Sequence, residues 1–403
     1  MIRVTERITK MKTLCDPVVV GTVGAGFAAG LHGNGYARVC SVPVRLKTIA
    51  DPNLENACRI QQQFGYEQVS ADFQDLLNDP EIDVIDILTP PFLHKSMIIA
   101  SLQAGKHVIC EKPLTGYFGK KGEKAVGNTP KSKMYEQVLQ DLEEISCAAE
   151  KAGKLVMYAE NYVYATPVQK AAQLLKAKKS KILFMKGEES TRGSMTAGAG
   201  WWSAVGGGPL LRIGCHPLSG MLYLKQVEAA SRCEKITVSS VLADTGIATR
   251  ELSEEEMQYL AARPQDVEDF GTLTLTFSDS TKCMMIATDI VLGGTKNYIE
   301  IYGNDSTFLC NLTPTDMLNT YFLDNKGIEN VQLSEMLPAN LGWNKAFVSD
   351  EVIRGYMDEL TDFMEAIAFG RAPLSDLQLA IQVTKVLQAA YCSAEENKRV
   401  YLN

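Results

Sequence analysis

Two residues of this 403-residue chain have the surroundings of an acid–base pair. His216 closes "GGGPLLRIGCH" (206–216), where three glycines precede an arginine and a Cys–His step, and it is one of only four histidines, so each has to be placed. Lys112 stands in "EKP" (111–113), directly after the apolar run "HVIC". Oxidising a secondary alcohol requires a base to take the hydroxyl proton while hydride leaves the carbon, and a base that titrates near the working pH does this best. An unperturbed imidazole meets that condition. A lysine ammonium can hold a developing alkoxide, and a lysine of lowered pKa can itself be the base. The same residue types admit plainer roles: a solvated strand-end charge for Lys112, a hydrogen-bonded core histidine for His216. His107, inside a predicted strand, and His32, just after a glycine turn, are expected to be structural. No metal is expected at Cys215–His216, because no second ligand pair at suitable spacing accompanies it.

A hydride acceptor has its own signature. Gly24-x-Gly26-x-x-Ala29 follows the apolar strand Val18 to Thr22 and opens a small-residue helix. Such glycines let the chain turn tightly and bring backbone N–H groups to a pyrophosphate at the helix N-terminus. Gly24, Gly26, Phe27 and Ala28 are the expected contacts. Asp51 ends the second strand, 25 residues after Gly26, where a carboxylate accepts from ribose hydroxyls and repels a 2′-phosphate; Pro52 and Asn53 follow it, not arginine. NAD is therefore expected over NADP.

The elements that must position these residues change character along the chain. Up to about residue 160, short β-branched strands alternate with helices: "RLKTIA", a helix through Leu54, Ala57, Ile60 and Phe64, "IDVIDILTPP", a helix from His94, then "KHVICEKP". Strands separated by helices imply βαβ units and a parallel sheet. "GKKGEKAVGNTPKSK" (119–133) has no apolar period and reads as a long loop, followed by a helix over Met134 to Ala152 and a strand at Leu155 to Ala159. Beyond 160, "KILFMKGE", "KITVSSVL", "GTLTLTF", "TKCMMIATDIV" and "NYIEIYG" are strands with fewer helices between them, as in an antiparallel α+β sheet. Two helices, one through Leu360, Phe363, Met364 and Ile367 and one over "LQLAIQVTKVLQAAYCSA", close the chain. The expected class is α/β: an N-terminal Rossmann domain over 1–160, with an inserted loop at 116–135, then an α+β domain with an open, mostly antiparallel sheet over 161–403.

Composition narrows the partners. A net charge of −8 argues against nucleic acid, whose phosphates draw on clustered lysine and arginine. No apolar run approaches the ~18 residues of a membrane span. Ten cysteines without a C-x-x-C pair read as reduced thiols, and the first residues lack an apolar signal-peptide core, so a cytoplasmic location is expected.

With the N-terminal glycines, "LTPPFLH" (88–94), "EKP", "AENY" (159–162) and "GGGPLLRIGCH" fall in an order that resembles the glucose–fructose oxidoreductase / inositol dehydrogenase family of NAD(P)-dependent oxidoreductases, over essentially the whole chain. The resemblance implies that substrate lies between nicotinamide and the second-domain sheet, a sheet that often forms the subunit interface, so a homo-oligomer is expected. It makes Lys112 the active-site lysine, presented by Glu111 and Pro113, and His216 the catalytic histidine. Thr89, Pro90 and His94 would lie near the cofactor, and Glu160 and Asn161 would bring the chain under the nicotinamide. Tyr162 is expected to face the substrate.

The chain departs from that family at two places. Relatives carry an aspartate four residues before the histidine; here stands Arg212. Its charge would favour the neutral, base-competent form of His216, or its fork of donors would hold substrate, or it pairs elsewhere. The second departure is the loop behind "EKPL", where Tyr117 and Phe118 would offer a sugar ring an apolar face. "EKPLTGYFG" resembles bacterial members that oxidise the C3 hydroxyl of glucosides, including plant C-glycosides. Arg192, Trp201 and Trp202 suit polyol binding, or the tryptophans fill the interdomain core. The expected activity is NAD-dependent oxidation of a secondary hydroxyl, C3 first, of a sugar or glycoside. Alternatives are a glycosidase that oxidises C3 transiently and eliminates the aglycone, and a non-catalytic NAD-binding regulator.

Overall fold

The computed structural model describes residues 16–402 except 121, 197, 314–317, 325, 327–341 and 346–350. The chain begins its first sheet with β1 (Val18–Val23), buried along its whole length as a central parallel strand must be. There follow α1 (Phe27–Tyr36), β2 (Val44–Ala50), α2 (Leu54–Phe64), β3 (Gln68–Ser70), α3 (Phe73–Asn78), β4 (Val84–Ile87), α4 (His94–Gln103), β5 (His107–Glu111), α5 (Lys131–Ala152) and β6 (Val156–Ala159). Among the described residues these strands form one six-stranded sheet in the order β3-β2-β1-β4-β5-β6, every pair parallel. The order reverses between β1 and β4, the place where such sheets open a ligand crevice beyond their carboxyl ends. Gly24, Asp51, Leu88, Lys112 and Glu160 each stand one residue past the end of β1, β2, β4, β5 and β6. One sheet edge thus gathers residues separated by up to 136 positions of sequence.

The loop expected over 116–135 is shorter. α5 starts at Lys131, behind Pro130, and a 3-10 turn occupies Val126–Asn128. Val126 is buried and the Gly127 N–H donates to Asp266 Oδ2 at 2.9 Å, so the segment is pinned to the second half of the chain.

That half holds α6 (Thr166–Lys178), β7 (Ile182–Ser190), α7 (Trp202–Val205), α8 (Pro209–Arg212), α9 (Cys215–Arg232), β8 (Val238–Gly246), β9 (Phe270–Phe277), β10 (Lys282–Thr288), β11 (Lys296–Gly303) and β12 (Thr307–Asn311). After a paired β13 (Asn319–Phe322) and β14 (Gly342–Lys345) come α10 (Glu351–Arg354), α11 (Tyr356–Phe369), α12 (Leu377–Glu396) and β15 (Val400–Tyr401). The large sheet runs β12-β11-β7-β10-β9-β8-β15, antiparallel except for the parallel pair β7/β10. Its strands alternate buried and half-exposed residues, the period of a sheet covered on one face.

α9 is the cover, buried over most of its length because its "CHPLSGMLYL" start is apolar all round. Glycines admit it: a Cβ on Gly187 would meet Pro217 at 3.0 Å, and one on Gly220 would meet Ile299 at 2.5 Å. The uncovered face keeps a row of cross-strand neighbours, Leu309, Glu300, Lys186, Met284, Thr274 and Leu242. Its three apolar members are exposed. The closing helices return to the first sheet, α12 against α5 and α11 against α1, and Tyr158 N–H donates to Ser375 O at 3.0 Å.

Candidate active site

A cavity of about 690 Å³ lies over the carboxyl ends of β1, β2 and β4. Gly24 turns the chain beneath it at φ +97°, and a Cβ there would stand 2.6 Å from Leu88 O, so only glycine fits. α1 starts at once from Gly26 with no side-chain cap, leaving its first N–H groups open to an anion. Asp51 is the only charged residue among those described as lining the cavity; its Oδ2 accepts from Ala25 N and its Oδ1 from Asn53 N, both at 2.8 Å. Apolar walls from Pro90, Phe92, Met97 and Phe73 complete a slot of the size and character of a cofactor site. Thr89 and Pro90 line it; Phe27 and Ala28 lie at its helix, Phe27 exposed. A dinucleotide fits: a pyrophosphate on the α1 start, ribose hydroxyls on Asp51, and no cation for a 2′-phosphate among the described lining.

Lys112 and His216 are brought together by the turn before α9. The three glycines do separate jobs there. Gly206 ends α7 at φ +79°, whereas a Cβ on Gly207 would meet the Tyr391 hydroxyl at 2.4 Å and one on Gly208 would meet Glu268 O at 2.1 Å. Glu268 clamps the start of α8: its carboxylate accepts from Gly208 N at 3.0 Å, Leu210 N at 3.1 Å and Tyr391 Oη at 2.8 Å. Burial nonetheless pushes its carboxyl up to about 7, those donors offsetting part of the cost. At the other end of the turn, Arg212 O accepts from Lys112 Nζ at 2.9 Å and, more weakly, from Cys215 Sγ. The lysine is thereby tied to the chain four residues before His216, at the break between α8 and α9. The Lys112–Pro113 peptide is cis.

His216 is buried, with Nδ1 2.7 Å from Glu160 Oε1. A carboxylate only accepts, so Nδ1 carries the hydrogen and Nε2 keeps a free lone pair. Tyr162 stacks on the imidazole, ring centroids 4.8 Å apart, and its hydroxyl meets Asn297 Nδ2. Arg212 directs its guanidinium to Asp289, at the end of β10. It therefore pairs elsewhere, and the charge that the sequence places beside His216 is offset by a carboxylate from another strand.

Behind the lysine lies a buried charge cluster. His32 is enclosed by Asp86, 3.0 Å from Nδ1, and Glu111, 3.5 Å from Nε2, and Tyr36 Oη donates to the same Asp86 oxygen at 2.9 Å. Burial works against the imidazolium, yet the two carboxylates outweigh it and hold His32 well above its ordinary value. Glu111 is raised by burial but lowered more by His32, with Lys112 and His216 adding to the lowering. Glu359, fully buried on α11 and pushed well up by burial, faces this cluster with neither carboxyl oxygen partnered among the described residues.

Several expected contacts are made by other means. His94 is fully buried with Nδ1 on Pro113 O and Nε2 on Thr89 O, at 2.9 and 2.8 Å, so it ties the EKP turn to the end of β4 and offers no atom to a cofactor. Glu111 turns to His32 and to its neighbour's N–H. Glu160 serves His216, and Asn161 Nδ2 donates to Arg354 O, anchoring the approach to α11. Trp202 is in the core: its Nε1 donates to Tyr117 O at 3.0 Å and its ring meets Tyr391 edge-on. Tyr117 is itself half-buried against the core. Arg192 is half-buried at the end of β7, its Nε without a partner among the described residues.

Glu160, Cys215 and His216 place one ligand atom each within 4.8 Å of one another, a grouping the sequence reading overlooked because its members are not spaced as a motif. Burial drives the Cys215 thiol well above its ordinary value, and the Glu160 carboxylate is already engaged by His216 Nδ1. No helix among the described residues is long and apolar enough to cross a membrane.

The family model described as an oxidoreductase family with NAD-binding Rossmann fold matches residues 18–121, and its partner, a C-terminal alpha/beta domain, matches residues 189–402. Levoglucosan dehydrogenase of Pseudarthrobacter phenanthrenivorans is 28% identical over 94% of this chain and 97% of its own. D-glucoside 3-dehydrogenase of Escherichia coli is 26% identical over 52% of this chain and 54% of its own. Among solved structures, GenD2 from gentamicin A biosynthesis in complex with NAD superimposes with a TM-score of 0.76 at 21% identity, covering 98% of this chain and 99% of that one. At these identities the structural likeness speaks for the fold.

Proposed function

The chain belongs to the oxidoreductase family with an NAD-binding Rossmann fold and a C-terminal alpha/beta domain, and from that premise we propose that it oxidises a secondary hydroxyl of a sugar or glycoside, the ring C3 hydroxyl in particular. The observation that carries this reading is the meeting of Lys112 Nζ with the turn that delivers the Glu160–His216 pair, at the carboxyl edge of the parallel sheet. The relatives named for levoglucosan and for the 3-position of glucosides support the substrate class.

NAD, when bound at the Gly24–Gly26 turn, supplies the hydride acceptor. The chain supplies the rest. Lys112, tethered through one ammonium hydrogen to Arg212 O, has two hydrogens left for the substrate oxygen, where they stabilise alkoxide character. His216 Nε2 takes the hydroxyl proton, and Glu160 at Nδ1 holds the ring orientation and balances the imidazolium. Burial of this pair beneath Tyr162 keeps water from competing. The change from a parallel to a mixed sheet near residue 160 divides a cofactor domain from a substrate domain. A second copy of the chain would pack on the uncovered sheet face, where Leu309, Met284 and Leu242 stand exposed among Glu300, Lys186 and Thr274.

Incubation with NAD and a panel of free sugars and glycosides tests the reading. A substrate should generate NADH absorbance together with a product lighter by two hydrogens. Free sugar and aglycone without net NADH would instead indicate oxidation followed by elimination.

A further inference from the structure

The carboxylate that holds His216 is satisfied on one side only. Glu160 Oε1 faces His216 Nδ1 at 2.7 Å and accepts from Tyr162 N–H at 3.5 Å. Oε2 of the same fully buried side chain has no donor among the described residues. A buried carboxylate oxygen without a donor is costly, and the carboxylate is then held at a single point. The imidazole is only as well oriented as this partner.

α11 brings a group with the complementary need. Its N-cap Gly355, at φ +96°, is pressed onto the turn that follows Glu160. A Cβ on Gly355 would stand 2.5 Å from Asn161 O, and Arg354 O accepts from Asn161 Nδ2 at 3.0 Å. Glu359 is one helical turn further on, its N–H donating to Gly355 O at 2.9 Å. The next residue, Leu360, lies against α1, where a Cβ on Gly35 would meet its side chain at 3.0 Å. His32 is one turn before Gly35 on the same face of α1. Glu359 is thus held between the turn after Glu160 and the cluster around His32.

The Glu359 side chain is fully buried, and neither of its oxygens has a partner among the described residues. Burial holds its carboxyl well above the ordinary value; Glu111, Glu160 and Asp86 add to the rise, and the one opposing group is His32. The neutral acid this favours has one O–H to donate. Tyr158 Oη is another buried hydroxyl in the field of Glu160 without a partner among the described residues, but Cys215 weighs on it more.

We infer that Glu359 is a positioning residue for the base: its carboxyl hydrogen goes to Glu160 Oε2, directly or through one water, and completes a line from His216 through Glu160 to α11. The inference rests on the reading of His216 as the base.

The test uses the full-length enzyme with NAD and methyl β-glucoside. Glu359→Gln keeps a donor, an amide N–H, and should keep near-normal kcat. Glu359→Met keeps only the volume, and should lower kcat by about 10- to 100-fold with KM and NAD binding little changed, the loss from a base left slightly out of place. Its Tm should not fall, since an unpartnered buried polar group has been removed. Glu359→Leu repeats the comparison with a second apolar side chain. Loss of kcat in the Gln variant as well would mean that Glu359 carries a proton instead of orienting Glu160, and normal kcat in all three would make it a packing residue. Either result overturns the inference.

A second readout needs no turnover. With histidine labelled by heavy nitrogen, four side chains give signals, and that of His216 is the one lost in His216→Gln. Its Nδ1–H resonance should persist in Glu359→Gln and shift or broaden in Glu359→Met. A resonance that ignores Glu359→Met, or moves in Tyr158→Phe instead, overturns the inference. If methyl β-glucoside is not oxidised and the resonance behaves as stated, the dehydrogenase reading has failed and the link from Glu359 to Glu160 stands.

Discussion

His216 Nδ1 and Glu160 Oε1 stand 2.7 Å apart at the junction of the two halves of the chain, Glu160 one residue beyond β6 and His216 in the first turn of α9. That contact fixes which imidazole nitrogen is free. It also makes the placement of the base depend on the packing of α9 against the turn that follows β6. Glu160→Gln keeps a side chain of the same shape but removes the charge that balances an imidazolium. We expect kcat to fall by about 10²-fold, within the range of a weakened general base. NAD affinity should change little, because the pair contacts the reacting proton and not the cofactor cleft. A near-normal kcat in the variant would mean that Glu160 is a structural partner only.

Lys112→Met removes the ammonium and keeps the stem. Turnover should fall by about 10²–10³-fold or more, the usual loss for a donor to a developing oxyanion. NAD affinity, followed by quenching of protein fluorescence, should change little. Near-normal turnover would remove Lys112 from the mechanism.

Asp51→Ala should weaken NAD by roughly 10- to 100-fold, the value of one hydrogen bond to a charged acceptor, and should narrow the preference over NADP. Kd values for both cofactors check this, and an unchanged ratio contradicts the ribose role.

His32→Gln tests the charge cluster behind the lysine. Its folded value is raised above its unfolded one, so its contribution to stability is complete below the unfolded value of about 6.5 and fades as pH rises through the folded value. The difference in Tm between the natural protein and the variant should therefore be largest near pH 6 and smaller at pH 9. A difference that grows with pH would show that His32 is neutral in the folded protein. The groups facing it are Asp86, Glu111, Tyr36 and Glu359.

Much of this site is written locally in the sequence. Apolar runs stopped by Gly24, Asp51, the prolines after Thr89 and the EKP turn mark strand ends, and a parallel sheet brings strand ends to one edge whatever the distance along the chain. The direction in which a side chain leaves such an end is set by its neighbours in space. Glu160 and His94 therefore stand where expected but face His216 and backbone carbonyls. Trp202 carries no local mark of being in the core; Tyr117 O and Tyr391 put it there. One signal was available and unused: Asp86 interrupts the apolar strand "IDVIDIL", and an acid inside a fully buried strand requires a partner. Its partner is His32, 54 residues away. Asp289, which offsets Arg212, follows the strand "KCMMIAT" with nothing in the sequence to tie the two together.

The most direct test of the central claim is the fate of a single hydrogen. Methyl β-glucoside deuterated at C3 is incubated with the enzyme and NAD, and both products are weighed. The account predicts NADH one mass unit heavy, a sugar product that has lost the label, and a slower reaction than with the unlabelled substrate. Reduced cofactor without the label, from a sugar that keeps its C3 deuterium, would place the oxidation at another carbon and contradict the proposal.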